Sequence, residues 1–173
     1  MPTPLPPPTV EGARHGHVEP TEFETFCARE HARLARALSL ALDNRELGRD
    51  AAAEALTRAF ERWDEVRLHA NLTGWAYRVG LNWGRSRLRR RRREVSVVLV
   101  PERPRPAPEI DDGVARALAR LSTDHRAVVV GRYYLDWSEA DVAAALDIPP
   151  GTVKSRLSRA LAQLEQHLEH DDA

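Results

Sequence analysis

The sequence predicts an all-α protein in which a proline-rich linker joins two small helical domains. Apolar residues recur at spacings of three and four within residues 20–93 and again within residues 112–170. Of the twelve prolines, six lie in residues 1–20 and four in residues 101–108, so proline marks the limits of the helical blocks. The short run 95–100 is compatible with a transient strand and equally with a linker that docks on a partner.

Two proline-rich segments are expected to lie outside the folded domains. Residues 1–19 are expected to form a disordered tail, and residues 94–111 a semi-extended linker. The tail has neither the basic start nor the apolar stretch of a signal peptide. No apolar run approaches the length of a transmembrane helix. We therefore expect a cytoplasmic protein with no membrane partner.

The first domain, residues 20–93, is expected to contain three amphipathic helices. The apolar positions of the first two are Phe23, Phe26, Leu34, Leu38 and Leu42, then Leu47, Ala51, Ala55, Leu56, Phe60 and Trp63. The loop residues are Asn71, Thr73 and Gly74, and the third helix carries Trp75, Val79 and Trp83. Apolar residues with this spacing are expected to form the core of the domain, which accounts for most of them without a functional role.

The second domain, residues 112–170, is expected to contain four helices. Their apolar positions are Val114, Leu118 and Leu121; Val128, Val129 and Tyr133; Val142, Ala143 and Leu146; and Val153, Leu157, Leu161, Leu164 and Leu168. Ser122 is a predicted N-cap, and Ser138 with Asp141 resembles a capping box. A tight break is expected at 147–149, and Pro150 suits the first position of the last helix.

The last two helices of the second domain form a predicted helix-turn-helix. In this motif the second helix lies in the major groove of DNA, and its first turns face the base edges. The outward positions there are Lys154, Ser155, Ser158 and Arg159, with Arg156 nearby. Such side chains bond bases and phosphates, and the backbone amides of Gly151 and Thr152 are suited to hold a phosphate. An ordinary solvated face on a helical hairpin is the alternative interpretation.

A cationic block at the end of the first domain also indicates a nucleic acid. Residues 67–93 contain nine arginines and no acidic residue, although the whole chain has zero net charge. The candidate phosphate contacts are Arg85, Arg87, Arg89, Arg91 and Arg93. The five consecutive arginines at 89–93 repel one another, and DNA phosphates would offset that repulsion. The alternative is that arginines near the end of a helix simply complement its macrodipole. The nearby Trp75, Tyr77 and Trp83 either stack on unpaired bases or belong to the core.

The sequence lacks the usual signs of an enzyme. It contains no phosphate-binding glycine loop, no metal-ligand spacing and no convincing pair of nucleophile and base. The single cysteine, Cys27, lies four residues before His31, but two ligands do not make a structural zinc site. We therefore expect no catalytic residue, cofactor, metal or small-molecule substrate.

Residues 136–164, DWSEADVAAALDIPPGTVKSRLSRALAQL, resemble the fourth region of the extracytoplasmic-function (ECF) sigma factors, a subfamily of the bacterial sigma-70 superfamily. The segment GTVKSRLSRAL is the most specific part. Residues 50–63, DAAAEALTRAFERW, are similar to the second-region helix that binds the polymerase clamp in that family. Residues 71–94 are similar to its promoter-opening helix. The resemblance spans residues 20–168 and preserves the order of the parts.

The resemblance implies a sigma factor that binds core RNA polymerase, recognises the minus-ten and minus-thirty-five elements of promoter DNA and promotes opening of the duplex. Asp50 and Glu54 match acidic contacts to polymerase, although Ala53 replaces the family's usual glutamine. Asn71 lies in the loop that would capture a flipped minus-ten base, and Asn82 would face the same element. The positions matching the minus-thirty-five readers are Lys154, Ser155, Ser158 and Arg159. An anti-sigma factor is a further partner that the resemblance allows.

Three other classes of protein differ from a sigma factor in features that the sequence shows. A helix-turn-helix transcriptional regulator, such as a response regulator, would share the second domain but would not need the arginine-rich first domain. A helical interaction protein would lack the polar face at 154–159. An enzyme would need the catalytic groups that are missing. Binding to core polymerase separates a sigma factor from all three.

Overall fold

The described residues, 21–95 and 112–171 of a computed structural model, form helices and connecting turns without a strand, which confirms the predicted all-α class. The helices are α1 Glu22–Leu42, α2 Arg45–Glu61, α3 Trp63–Val66, α4 Leu72–Val95, α5 Asp112–Arg120, α6 Thr123–Val129, the π-helical turn Val130–Tyr134, α7 Glu139–Leu146 and α8 Pro150–Asp171. The predicted tail and residues 96–111 lie outside the described residues. Within these two ranges, no helix combines the length and the apolar character needed to cross a membrane.

Side-chain caps fix the starts of the first two helices. The Thr21 hydroxyl accepts a hydrogen bond from the Glu24 amide at 3.2 Å, and the Glu24 carboxylate accepts one from the Thr21 amide at 2.7 Å. These bonds lower the pKa of Glu24, with the backbone bond as the larger cause. Asn44 caps α2 by accepting from the Leu47 amide at 2.8 Å. Each cap satisfies an amide that would otherwise lack a partner within its helix.

The core of the first domain lies between α1, α2 and α4. Leu34 and Leu38 of α1 are fully buried, as the apolar spacing predicts. The first two helices approach closely at Gly48, where a Cβ atom would lie 2.3 Å from the backbone nitrogen of Ser39. Glycine is therefore required at this crossing for steric reasons.

The end of α2 differs from the sequence prediction. The helix ends at Glu61, and Trp63 begins the separate helix α3. Phe60 was expected to be a core residue, but it lies on the surface near the end of α2 and is 65% exposed. Its ring rests against that of Phe23, with centroids 5.0 Å apart. The two rings thus form a surface aromatic contact.

The second domain contains a π-helical turn that the periodicity did not predict. The Leu135 amide donates to the Val130 carbonyl at 2.9 Å, five residues back, which widens the helix by one residue. This insertion rotates the following side chains. Tyr133, expected on the buried face, is 59% exposed, and Leu135 is buried instead.

The buried stripe of α8 also departs from the prediction at one position. Val153 and Leu157 are buried as expected, and Leu164 is half-buried. Leu161 is 41% exposed, because the buried stripe passes through Ala160. The side chain of Leu168 lies outside the described part of the chain.

The two domains pack against each other and share one continuous cluster of buried residues. Helix α7 packs on α4, while α6 and the π-helical turn pack on α1. The buried guanidinium of Arg126 donates from Nε to the Ala41 carbonyl at 3.0 Å and from Nη1 to the Leu121 carbonyl at 2.8 Å. Arg33 in turn donates to the Leu135 carbonyl at 2.6 Å. Polar side chains therefore bond backbone carbonyls across the domain boundary.

Candidate nucleic-acid interface

Helices α7 and α8 form the predicted helix-turn-helix. The Ser138 hydroxyl accepts from the Asp141 amide at 3.1 Å, and the Asp141 carboxylate accepts from the Ser138 amide at 3.1 Å, which confirms the capping box. Bonds from the Ser138 side chain and then its backbone lower the pKa of Asp141. Asp147 has φ 56° and ends α7 in the left-handed region, as the predicted break requires. Helix α8 then begins at the predicted Pro150.

The outward face of α8 is the candidate base-reading surface. Its opposite face is anchored by the buried Val153, Leu157 and Ala160. The four predicted reading residues are all exposed: Lys154, Ser155, Ser158 and Arg159. A buried stripe on one side fixes the orientation of the polar row on the other. The structure thus places these four side chains together, on the first turns of the helix.

Arg156 is directed away from this reading face. Its side chain is 26% exposed, and its Nη2 atom lies 3.1 Å from Oδ2 of Asp124. The same carboxylate binds Arg85 of α4 through Oδ1, at 2.5 Å. Arg85 and Arg156 were both expected to face DNA. In this structure both guanidinium groups instead pair with the carboxylate of Asp124. The spacing of the sequence does not reveal Asp124, because its partners lie 39 and 32 residues away.

The first turn of α8 only partly fits the predicted phosphate site. The Thr152 amide donates to the Pro149 carbonyl at 2.9 Å, so in this structure it is bonded within the first turn of the helix. The bond closes the first turn of the helix directly after the left-handed break. Gly151 is exposed, and a Cβ atom there would meet nothing within 4 Å. Space for an approaching group therefore remains at Gly151.

The start of α4 places Asn71 as a helix cap. Its Oδ1 atom accepts from the Gly74 amide at 2.7 Å, so Thr73 and Gly74, expected in a loop, belong to the first turn. The loop prediction is wrong there because the cap lies two residues before Thr73. Asn82 lies further along α4 with an exposed side chain. The structure therefore separates the two asparagines by three helical turns.

The cationic end of α4 projects into solvent. Arg87, Arg89, Arg91 and Arg93 are all exposed. The Arg87 guanidinium lies over the Trp83 ring, 4.9 Å from its centroid. Trp83 and Arg87 line a shallow hollow together with Ser86 and Arg90. A flat cation beside a half-buried indole suits contact with a phosphate and a neighbouring base.

The other aromatic residues of this region divide between the core and the surface. Tyr77 is fully buried, so it belongs to the core and its ring is not available to stack on a base. Trp75 is half-buried and stacks on His69, with ring centroids 6.2 Å apart. Trp83 also packs partly against the core cluster. Packing thus accounts for Tyr77 and for part of both tryptophans.

The predicted polymerase contacts lie on the outward face of α2. Asp50 is exposed, and Glu54 is half-buried. Glu54 is paired with Arg58, whose Nη2 atom lies 2.7 Å from its Oε1 atom. The replaced position Ala53 is exposed on the same face. The face is therefore acidic at Asp50 and nearly neutral one turn later.

Among the described residues, no three histidine, cysteine, aspartate or glutamate side chains are close enough to hold a metal ion. Burial raises the pKa of the Cys27 thiol. A raised thiol pKa favours the protonated, poorly ligating form at neutral pH.

Comparison with known sequences relates these surfaces to one family. The family model for sigma-70, region 4, matches residues 112–164. The ECF RNA polymerase sigma factor SigM of Mycobacterium tuberculosis is 34% identical over 151 residues, which cover 84% of this chain and 76% of SigM. The RNA polymerase sigma-E factor of Streptomyces avermitilis is 31% identical over 169 residues, which cover 90% of each protein.

Two solved structures share the fold. The sigma factor RpoE of Bartonella quintana, in complex with the anti-sigma factor NepR, gives a TM-score of 0.68 at 27% identity, covering 84% of this chain and 97% of that one. CnrH, in complex with the cytosolic domain of CnrY, gives a TM-score of 0.62 at 25% identity, covering 86% and 88%. Since the curated relatives match most of the chain in both domains, this protein belongs to the ECF family of RNA polymerase sigma factors.

Proposed function

We propose that this chain is a sigma subunit that binds core RNA polymerase, recognises the minus-ten and minus-thirty-five elements of promoters and promotes opening of the DNA. The observation that carries the proposal is the row of four exposed polar side chains at the start of α8. Lys154 and Arg159 supply cations, and Ser155 and Ser158 supply hydroxyl groups. This combination suits base edges in a major groove, where a helix of this diameter fits.

Helix α4 is the proposed contact to the minus-ten region. Its exposed arginine run would hold phosphates without regard to sequence, because phosphate contacts position a protein and base contacts specify the site. Asn82 is exposed on the same helix and can donate to or accept from a base. The pair formed by Trp83 and Arg87 offers a stacking surface for a base that leaves the duplex.

The outward face of α2 is the proposed contact to core polymerase. Asp50 is exposed and forms no ion pair with another described residue, so it can pair with a basic residue of the enzyme. Glu54 would first have to leave Arg58 or share it. This competition, together with Ala53, leads us to expect that Asp50 contributes more than Glu54 to polymerase binding.

The proposed setting follows from these partners. The chain would act in the cytoplasm, where polymerase and chromosomal DNA meet, as a regulatory subunit that carries no catalytic site of its own. Because the solved relative RpoE is in complex with an anti-sigma factor, we also propose that an anti-sigma factor controls this chain.

Association with core polymerase is the test of this function. The tagged full chain should retain purified core enzyme on an affinity column. A second, untagged sigma factor added in excess should compete for the core enzyme and release it from the column. A helix-turn-helix regulator would bind promoter DNA in the same preparation but would not retain core enzyme. That second result would replace the sigma proposal with the regulator.

A further inference from the structure

We propose that the proline-rich run at residues 2–8 docks in an aromatic groove on the surface of the first domain. The inference does not rest on the proposed function, because it concerns a contact within this chain. The groove is formed by described residues, whereas the run lies outside them. The groove, the composition of the run and the place where the tail joins the domain each support the proposal.

The groove is a hollow of about 370 Å³ between α1, α3 and the start of α4. Phe26 of α1 and Trp63 of α3 line it with aromatic rings whose centroids lie 5.8 Å apart. Leu72 adds an apolar side chain, and Arg29 and Arg67 add two cations. Grooves lined by aromatic rings are a common type of binding site for proline-rich segments.

Trp63 connects the groove to a wider aromatic surface. Its ring meets that of Phe23 edge to face, with centroids 5.3 Å apart, and Phe23 in turn contacts Phe60, which is 65% exposed. The Trp63 indole N–H donates no hydrogen bond to another described residue. An indole with an available donor suits a ligand that offers both an apolar ring and a carbonyl oxygen.

The run at residues 2–8, PTPLPPP, has the chemistry that such a groove binds, since five of its seven residues are proline. Proline favours the polyproline II conformation, which has about three residues per turn and leaves its carbonyls without internal partners. Pro4 and Pro7 would share one face in that conformation. Because the proline ring fixes φ, such a segment loses little conformational entropy when it binds.

The groove begins where the tail joins the folded domain. Glu22 and Thr25, in the first turns of α1, line the groove, and Thr21 caps that helix. The run is separated from Thr21 by the twelve residues 9–20. A flexible chain of that length spans about 20 Å, so it can return the run to the groove. The tether gives the run an effective concentration on the order of 1 mM at the groove, which a separate proline-rich partner would have to reach in solution.

The charges of the groove and the tail are also complementary. Arg67 lies 3.8 Å from an oxygen of Glu22 and 3.7 Å from an oxygen of Asp64. These distances exceed those of direct hydrogen bonds, so the guanidinium can accept a closer anionic partner. Glu11 and Glu19, between the run and α1, carry carboxylates of the required sign.

Nuclear magnetic resonance of the isotope-labelled full chain tests the contact. The indole N–H signal of Trp63, identified by its loss in Trp63→Phe, reports on the groove. A tail variant that loses three prolines should displace this signal, because it removes the rings that pack against the indole: Pro6→Ser, Pro7→Ser and Pro8→Ser. A matched control adds three serines to the tail, keeps every proline and should leave the signal in place: Gly12→Ser, Ala13→Ser and Gly16→Ser.

A synthetic peptide of residues 1–10, added to the tail variant, gives a second readout. It should return the Trp63 signal to its position in the unsubstituted chain. The Kd should be on the order of 1 mM or tighter, because a weaker ligand would not fill the groove at the effective concentration of the tail. The same peptide with serine at positions 6–8 should leave the signal where it is.

A substitution in the groove tests the contact from the other side. Thr25 is exposed and lines the groove, so Thr25→Arg in the tail variant should exclude the prolines and weaken peptide binding roughly tenfold. Ala28→Arg adds the same side chain at an exposed position of α1 that does not line the groove. This control should bind the peptide as tightly as the tail variant does.

Four results would overturn the proposal. The first is a Trp63 signal that does not respond to loss of the three prolines, and the second is a peptide that leaves the signal unchanged. The third is equal weakening by Thr25→Arg and Ala28→Arg. The fourth is a signal that changes with protein concentration while sedimentation detects dimers, which would assign the groove to a second copy. If circular dichroism shows that Thr25→Arg is unfolded, the tail variants and the peptide decide, because their substitutions lie outside the described helices.

Discussion

The ring of Tyr77 in the first domain meets the ring of Trp137 in the second edge to face, with centroids 5.6 Å apart. The Tyr77 hydroxyl also donates to the Ala127 carbonyl at 3.3 Å. Burial raises the pKa of this phenol well above its ordinary value, an effect that nearby Arg85 only partly offsets. Tyr77 is therefore a neutral hydrogen-bond donor that connects the two domains.

This raised pKa predicts a loss of stability in alkali. Below pH 10 the phenol is protonated in both folded and unfolded chains, so its contribution is complete. Above pH 10 the unfolded chain loses the proton while the folded chain keeps it, which lowers the free energy of unfolding by about 1.4 kcal/mol per pH unit. Urea unfolding between pH 8 and 11 measures the effect, which Tyr77→Phe should reduce. Tyr133→Phe, at an exposed ring, should retain it, and equal behaviour of the two variants would contradict the assignment.

The crossing of α1 and α2 predicts a large effect at Gly48. An alanine Cβ would lie 2.3 Å from the Ser39 nitrogen, so the backbones must move apart. We expect Gly48→Ala to lower the free energy of unfolding by about 1–3 kcal/mol. Gly151→Ala adds the same methyl group in open space and should be close to neutral. Urea denaturation of both variants compares them, and equal midpoints would show that the crossing is not tight.

The reading face of α8 predicts sequence-specific losses. Lys154→Ala or Arg159→Ala should weaken holoenzyme binding to the upstream promoter element by about 1–3 kcal/mol if the side chain contacts a base. The loss of affinity should be smaller on a scrambled element, where the protein makes only sequence-independent contacts to phosphates. Glu165→Gln on the same helix serves as control. Unchanged affinity in both alanine variants, measured by fluorescence anisotropy, would remove this face from the interface.

The acidic face of α2 predicts a defect in polymerase binding. Reversing charge at both positions, with Asp50→Lys and Glu54→Lys, should repel the basic surface that they are proposed to contact and reduce co-purification with core enzyme. The fold should persist, because neither side chain is fully buried. Glu61→Lys, an exposed reversal at the end of the same helix, should bind normally. Normal binding by the double variant would exclude these residues from the contact.

The arginine run predicts a change in salt dependence. Neutralising Arg89, Arg91 and Arg93 with glutamine should weaken binding to many sequences about equally. Each lost phosphate contact should lower the log–log salt slope by roughly 0.7–0.9. Asn82→Ala should keep the slope and instead lose strand opening at the minus-ten element. Holoenzyme binding across a salt series measures the slope, and permanganate footprinting measures strand opening, so together they distinguish the arginine variant from Asn82→Ala. An unchanged slope in the arginine variant would mean that the run is only a solvated helix end.

Local chemistry explains why much of the helix-turn-helix could be predicted. The capping box of Ser138 with Asp141 and the helix start at Pro150 depend on residues within three positions of each other. The alternation of Val153 with Lys154 similarly fixes which side of α8 is buried. Because these determinants are adjacent in the chain, composition and spacing are sufficient to locate them.

Other features depend on partners far away in the sequence. Arg126 is buried although it is charged, and it bonds a carbonyl 85 residues earlier. Asp124 similarly meets Arg85 only after the domains have packed. The π-helical turn exposes Tyr133 by one inserted residue, which no apolar spacing indicates. The contacts of Arg126 and Asp124 form only in the folded chain, and periodicity carries no information about them or about the π-helical turn.

Promoter-dependent transcription tests the sigma function most directly. Core RNA polymerase free of other sigma factors is combined with this chain on DNA fragments recovered upstream of genes that its overexpression induces. We expect run-off transcripts with a discrete start that require the chain, together with permanganate-reactive thymines near the minus-ten position. Binding of the fragments by the chain without any such transcript or reactive thymine would contradict the sigma function and leave only a DNA-binding regulator.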